Sequence, residues 1–220
     1  SKDPFGLRRA ALGVIRLLES PQNTHFNLIT LLKESVGAYQ SQDIYLLPDV
    51  VQTVLNFIND RLNVYLQGQD INTVNAVLHG STNTVIYNVY ALTQRSLALN
   101  DFLKTTEGES LKASYRRASG ILGKIKELHA VKTNLLKEEA EKKLYTQLQD
   151  LLNTYDSLVK DHHYQKLMVQ LSVLRPFIDA FFDTVMVNCE DELLKINRYA
   201  LLQLFVKSVD NIADFNQLQG

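Results

Sequence analysis

The sequence predicts an all-α protein, and three observations lead to that prediction. Apolar residues recur at spacings of three and four along most of the chain, which places them on one side of successive helices. No stretch alternates apolar and polar residues as a half-buried strand would, and no glycine-rich phosphate loop is present. Glycine and proline are scarce, with 9 and 4 copies in 220 residues. We therefore expect roughly ten helices joined by short connections.

Composition and charge narrow the classes of protein to which the chain can belong. With 45% hydrophobic and 21% charged residues, the chain has the balance of a folded globular protein. No apolar run approaches the roughly 20 residues that cross a bilayer, so we expect no membrane partner. Cys189 is the single cysteine, which fits a reducing compartment and a cytoplasmic location. Because the net charge is −1, any binding of nucleic acid must use a local basic patch or a larger assembly.

The first hundred residues are predicted to be a helical region of five helices. Asp3 can cap the first of them, and Pro4 suits its first turn. Asp70 is expected to cap the fourth helix. The expected helices are 1–20, 23–39, 48–66, 71–78 and 82–99. On the first helix, the side expected to be packed contains Leu7, Ala10, Ala11, Val14, Leu17 and Leu18.

Residues 100–106 read as a boundary, which divides the chain into domains 1–100 and 101–220. The second domain should open with a helix over 107–128, whose inner side carries an apolar seam. Gly120 and Gly123 lie inside this helix, where each costs about 1 kcal/mol relative to alanine. Their presence suggests that another backbone approaches closely there. Either an RNA backbone or a second helix could do so.

The remainder of the second domain is predicted to form a long helix and three shorter ones. We expect helices over 135–160 and 164–173, then one that begins near Pro176 and one that begins after a cap at Asp191. Arg198 falls on the apolar stripe of the last helix. A buried charge needs a partner, and Asp179 or Asp183 is expected to supply it.

Side chains that carry chemistry do not form any recognised catalytic pattern. The Asp161-His162-His163 cluster suggests a metal site, but His-Glu-x-x-His and paired-cysteine motifs are absent, and a helix-end turn explains the cluster. The Glu190-Asp191 pair stands where helix starts attract acidic residues. We therefore expect no catalytic, cofactor-binding or metal-binding residues in this chain.

Several stretches of the sequence resemble a known family. The residues that carry the resemblance at the C-terminal end are Leu174-Arg175-Pro176, Asp179 with Phe181-Phe182, Val185-Met186-Val187, and Asn197-Arg198 before Leu201-Leu202. They resemble the end of the anticodon-binding domain shared by several class I aminoacyl-tRNA synthetases and the β subunit of bacterial glycyl-tRNA synthetase. Residues 113–122 resemble the opening helix of that domain, and residues 3–18 resemble the glycyl β subunit after its HD-like domain. The Asp-Ala-Leu-Arg tetrad that names the domain is replaced by Lys166-Leu167-Met168-Val169.

The resemblance implies a fold and a function for the chain. It implies an anticodon-binding helical bundle over 101–220, preceded by a helical region that continues from a missing HD-like domain, so that the chain is a C-terminal fragment. It also implies binding of tRNA(Gly) in support of glycylation, with adenylate formation carried out by the α subunit of an α2β2 enzyme. The alternative is a structural scaffold that contacts other domains or the α subunit without reading bases.

The candidate RNA-binding residues are those that suit phosphates and base edges. Arginine and lysine hold phosphates, while asparagine and arginine hydrogen-bond to the edges of unstacked bases. The candidates are Arg116, Arg117, Lys124, Lys126, Arg175, Asn188, Asn197 and Arg198. Phe181, Phe182 and Met186 are expected to lie in the core rather than to stack on bases.

Overall fold

The computed structural model describes residues 3–66, 70–80, 87–123, 125, 127 and 129–218, and every regular element within them is helical. The all-α prediction is confirmed. None of the described helices is long and apolar enough to cross a bilayer. The α-helices of these residues are α1 Leu7–Leu18, α2 Leu28–Gln40, α3 Val50–Tyr65, α4 Ile71–His79, α5 Val89–Leu103, α6 Thr106–Leu122, α7 Glu139–Lys160, α8 Tyr164–Thr184 and α9 Glu192–Asp210.

Most of the helix starts are fixed by side-chain caps that the sequence supplies. Asp70 accepts a hydrogen bond from a backbone N–H in the first turn of α4, and Asp191 accepts two at the start of α9. Both caps agree with the sequence-based expectation. The second helix starts at Leu28 rather than at Asn23, because Asn27 takes the capping position. The fifth predicted helix begins at residues that lie outside the described part of the chain.

The helices pack in two connected groups. The long helices α7 and α8 form an antiparallel pair, and α6 and α9 pack against it to give a four-helix bundle. Helix α5 packs on α6 and α8 from outside and also contacts α1. Helices α1, α2 and α3 form a small layer at the other end. One continuous set of buried apolar side chains runs through both groups.

A buried arginine joins α5 to the bundle. Arg95 has 1% of its surface exposed, and it donates hydrogen bonds to the Tyr155 hydroxyl at 2.7 Å and the Asn211 carbonyl at 3.0 Å. Its guanidinium also lies 5.7 Å from the centre of the Tyr164 ring. Burial raises the pKa of Tyr164 to about 12. The arginine therefore links α5, α7, α8 and the segment after α9 through hydrogen bonds and a contact with an aromatic ring.

Helix α8 continues through Pro176, so the expectation of a helix break there is wrong. Proline in a helix interior leaves the carbonyl four residues earlier, that of Ser172, without its usual donor and costs about 3 kcal/mol. Leu174 and Ile178 on either side are 1% and 0% exposed. Burial of one such side chain contributes about 1.5–3 kcal/mol, so the buried apolar side chains of α8 together outweigh the cost of the proline.

Helix α1 buries only part of the side that its sequence suggested, because Ala11 and Leu18 are buried as expected. Ile15 is fully buried, whereas Leu7, Val14 and Leu17 are 56%, 37% and 67% exposed. Leu7 and Val14 line an apolar groove of about 630 Å³ that α1 forms with α2 and α3. The expected packing is therefore wrong for Leu7, Val14 and Leu17, and at Leu7 and Val14 the helix faces an open groove instead.

The glycines of α6 differ in what surrounds them. A Cβ on Gly120 would find no described atom within 4 Å outside its own helix backbone, and Gly123 follows the end of the helix. The close approach expected at these two glycines is therefore not made by any helix among the described residues. It occurs instead at Gly108, where a Cβ would lie 2.2 Å from the Phe102 carbonyl oxygen.

Two alanine substitutions in α6 should shift stability in opposite directions. Gly108→Ala forces the α5–α6 turn apart and should lower the free energy of unfolding by about 1–3 kcal/mol. Gly120→Ala should raise it by about 0.5–1 kcal/mol, because alanine favours the helix and meets no obstacle. Urea denaturation of both variants measures the difference. Destabilisation by both, or by neither, would contradict this account of the turn.

Candidate nucleic-acid interface

Two adjacent arginines stand on the exposed side of α6. The guanidinium carbon of Arg117 lies 4.3 Å from the centre of the Phe182 ring on α8. Arg116 donates a hydrogen bond of 3.3 Å to the carbonyl of Leu218 near the C-terminus. Neither arginine forms an ion pair with a described carboxylate. Both are therefore cations that α6 presents to solvent.

Arg175 is the third arginine of this face, and it is tied to α6 by carboxylates. Its guanidinium lies 3.5 Å from a carboxylate oxygen of Glu107 and 3.6 Å from one of Asp179. Ser110 and Ser114 on α6 also donate hydrogen bonds to Asp179, at 3.4 Å and 3.2 Å. Helices α6 and α8 are thus joined by a polar seam beside the exposed arginines.

A polar pocket opens next to this seam. Its volume is about 310 Å³, within the range of roughly 300–1,000 Å³ that is usual for small-molecule sites. Asp183 stands one turn after Asp179 on α8, is exposed, and has no hydrogen-bond or ion-pair partner among the described residues. The pocket is lined by Ser110, Ala113, Ser114, Arg117, Asp179, Phe182 and Asp183.

Arg198 is buried and pairs with Glu141, so the expected pairing with Asp179 or Asp183 is wrong. Its Nε lies 2.6 Å from Glu141 Oε1, and the two side chains are 7% and 1% exposed. Arg198 also donates to the Met186 carbonyl at 2.9 Å. Burial by itself would lower the pKa of the guanidinium, but the hydrogen bond and charge of Glu141 outweigh it, and the pKa is raised. Asp179 and Asp183 instead line the polar pocket described above, on the side of α8 next to α6.

Asn197 is also engaged inside the protein. It is 3% exposed, its Oδ1 accepts a hydrogen bond of 2.7 Å from the Lys132 N–H, and its Nδ2 donates one of 3.1 Å to the Lys132 carbonyl. This pair of bonds fixes the segment before α7 to α9. The polar atoms of Asn197 and Arg198 are therefore occupied by the protein itself.

Asn188 lies apart from the α6 arginines, just before α9. It is exposed, and its Oδ1 accepts a hydrogen bond of 2.6 Å from the Tyr199 hydroxyl. Phe181 and Phe182 are buried as expected, but Met186 is 73% exposed, so its expected place in the core is wrong. The structure thus does not bring the candidates into one cluster. Lys124 and Lys126 lie outside the described residues.

The spacing of the sequence indicated that Glu141 is buried, but the many Glu and Lys residues around it suggested a solvated face. Glu141 stands three residues before Leu144 and seven before Leu148, on the buried stripe of α7. It also completes a capping box, because it accepts hydrogen bonds from the N–H groups of Lys137 and Glu138 at 2.6 Å and 2.8 Å. No comparable signal identified the pocket that Asp183 lines together with Arg117.

The histidine cluster forms the turn between α7 and α8. His162 has a φ of 55°, and its ring packs edge-on against Tyr90 at 5.2 Å. Burial lowers the pKa of His162. Within the described part of the chain, no three His, Cys, Asp or Glu side chains are grouped to hold a metal ion.

The buried ion pair of Arg198 and Glu141 should contribute far more to the free energy of unfolding than the partly exposed ion pairs of Arg175. Arg198→Met leaves Glu141 buried without its partner and should lower the free energy of unfolding by about 3–5 kcal/mol. Arg175→Met removes partly solvated ion pairs and should change it by less than about 1 kcal/mol. Thermal and urea unfolding of the two variants test this contrast. Equal losses would mean that Arg198 is not the structural arginine of the bundle.

Comparison with known proteins identifies both parts of the chain. Residues 1–79 match the family model described as glycyl-tRNA synthetase beta subunit, and residues 111–215 match the DALR anticodon binding domain. The second match begins within α6 and ends after α9, so it covers the four-helix bundle.

Curated relatives align with nearly the whole chain. The protein from Solidesulfovibrio magneticus is 33% identical over 99% of this chain, and that from Paracidovorax citrulli is 37% identical over 99%. The protein from Clostridioides difficile is 31% identical, also over 99%. Each is named glycine–tRNA ligase beta subunit, and this chain spans 32%, 30% and 31% of their respective lengths. The chain thus covers about a third of these relatives, and it belongs to the glycyl-tRNA synthetase β-subunit family.

Proposed function

We propose that the bundle of α6–α9 binds tRNA(Gly) at its anticodon region and supports glycylation carried out together with the α subunit. The observation that carries this proposal is the match of residues 111–215 to the DALR anticodon binding domain. The names of the curated relatives supply the amino acid and the subunit. Residues 111–215 fold into one bundle, as a binding module requires.

Local charge supports the bundle as an RNA-binding surface despite the net charge of −1. Residues 110–126 contain five lysines and arginines, namely Lys112, Arg116, Arg117, Lys124 and Lys126, and no Asp or Glu. Phosphate contacts supply most of the sequence-independent affinity for RNA. A basic segment of the sequence can therefore bind the backbone of a tRNA loop while the rest of the chain is neutral or acidic.

The arginine beside Phe182 suits the recognition of an unpaired base. Single-stranded RNA is read by stacking bases on aromatic or guanidinium planes and by hydrogen-bonding their edges. Contact with the Phe182 ring holds the Arg117 guanidinium in place before RNA arrives, which lowers the entropic cost of binding. Arg116 can meet a neighbouring phosphate. Neither activation of glycine nor a cofactor is assigned to this chain, and both belong to the α subunit in this proposal.

A structural role is the second candidate, and the apolar groove of α1–α3 favours it for the N-terminal part. The groove holds about 630 Å³ and is lined almost wholly by apolar side chains, among them Leu7 and Val14. Large exposed apolar surfaces mark sites of protein contact. Residues 3–66 would then pack on another part of a full-length β subunit, while the bundle carries the RNA contacts.

Loss of the two α6 arginines should weaken binding of tRNA(Gly). Arg116→Ala combined with Arg117→Ala should reduce affinity roughly tenfold or more, and the slope of log K against log salt should become shallower by about 1–2. Gel-shift titration at several salt concentrations measures both quantities. The matched control is Lys160→Ala with Lys166→Ala, two exposed cations at the α7–α8 turn. An equal loss in both variants would refute a specific role for this face.

Anticodon changes separate the two candidate functions. Under the binding proposal, tRNA(Gly) with a substituted anticodon should bind more weakly than the native tRNA at both low and moderate salt, because base-edge contacts are lost. The gel-shift assay with wild-type chain provides the measurement. Salt-sensitive binding that ignores the anticodon would instead favour the scaffold.

The groove can be tested without RNA. Leu7→Glu with Val14→Glu should leave the unfolding temperature of this chain nearly unchanged, because both side chains are already exposed. In a full-length subunit the same changes should lower the unfolding temperature, because the charges would be buried. Leu193→Glu, at a residue that is 63% exposed outside the groove, is the control. An unchanged unfolding temperature in the full-length subunit would rule out a covered groove.

A further inference from the structure

We propose that the pocket between α6 and α8 takes one unpaired RNA base with a donor-rich edge, cytosine or guanine, and that Asp183 rejects uracil. This inference rests on the proposed RNA-binding function and adds a specificity-determining residue to it. It concerns the pocket of about 310 Å³ that Arg117, Phe182 and Asp183 line.

The pocket provides a surface on which a base can stack, Arg117, and a hydrogen-bond acceptor that the described residues leave unused, Asp183. Arg117 is held 4.3 Å from the centre of the Phe182 ring, so its position is set by packing rather than by a carboxylate. Asp179 is engaged by Ser110, Ser114 and Arg175. Asp183 is left as the carboxylate with no partner among the described residues, and it faces the same pocket.

The charges in the pocket favour a neutral base over a phosphate. Arg117 contributes one positive charge, and Asp179 and Asp183 contribute two negative charges; the neighbouring Arg175 is shared between Asp179 and Glu107. Among the described residues that line the pocket, a phosphate would therefore meet the Asp183 carboxylate beside the one cation, Arg117. A neutral ring with N–H donors can instead stack beside the guanidinium and donate to the carboxylate.

The edge of the base decides whether Asp183 can bind it. A carboxylate at neutral pH only accepts hydrogen bonds. Cytosine offers an exocyclic amino group with an acceptor on one side only, and guanine offers two adjacent donors. The one ring donor of uracil lies between two carbonyl oxygens, which a carboxylate repels. The amino group of adenine likewise lies between two ring acceptors, so both uracil and adenine should be disfavoured.

RNA hairpins with different loops test the inference on the 220-residue chain. The loops consist of cytidines, of uridines, of adenosines, or of guanosines spaced among uridines, on one common stem. The wild-type chain should bind the cytidine and guanosine loops roughly tenfold more tightly than the uridine loop. Asp183→Asn should bring these affinities together, because an amide both donates and accepts. The control is Asp156→Asn, an exposed aspartate on α7.

Each outcome bears on a different claim. If the cytidine preference disappears in Asp183→Asn and persists in Asp156→Asn, the assignment of Asp183 holds. If the wild type binds hairpins without preferring cytidine or guanosine, or if Asp183→Asn keeps the preference, the assignment is overturned and RNA binding still stands. If the wild type binds neither hairpins nor tRNA(Gly), the proposed function fails together with the inference. Circular dichroism confirms that both variants remain helical.

Discussion

The ion pair between Arg198 and Glu141 fixes the geometry of the bundle. It joins α9 to the first turn of α7, and the same guanidinium donates to the Met186 carbonyl in the segment between α8 and α9. Glu141 in turn holds the N–H groups of the residues that lead into α7. Because the two charges are hydrogen-bonded to each other and to the backbone, their attraction offsets the cost of desolvation, and any arrangement of the helices that separated them would leave a buried charge without a partner.

This constraint separates the residues that hold the bundle from those that can bind a ligand. Asn197 and Arg198 use their polar groups inside the protein, so α9 contributes rigidity at that point. The exposed cations lie instead on α6, with Arg117 held against α8. A rigid bundle that presents a fixed guanidinium and a free carboxylate can discriminate bases, because neither group must be reorganised when RNA binds.

Sequence reasoning predicted those features that depend on local chemistry. Apolar spacing gave the helical class, and the caps at Asp70 and Asp191 follow from residue type. Features that depend on tertiary contacts were not predictable in this way. The continuation of α8 through Pro176 depends on burial along the whole helix, and the partner of Arg198 depends on how α7 meets α9. The family resemblance identified the module, but two of the candidate residues, Asn197 and Arg198, proved to be internal, since identity at a position does not reveal exposure.

The central claim is that the α6–α9 bundle contacts the decoding loop of a transfer RNA. Chemical footprinting of tRNA(Gly) bound to this chain tests that claim most directly, because it maps protected nucleotides without any substitution in the protein. We expect protection to be concentrated in the anticodon loop and the adjoining stem. Protection confined to the acceptor stem, or no protection at saturating protein, would contradict the account.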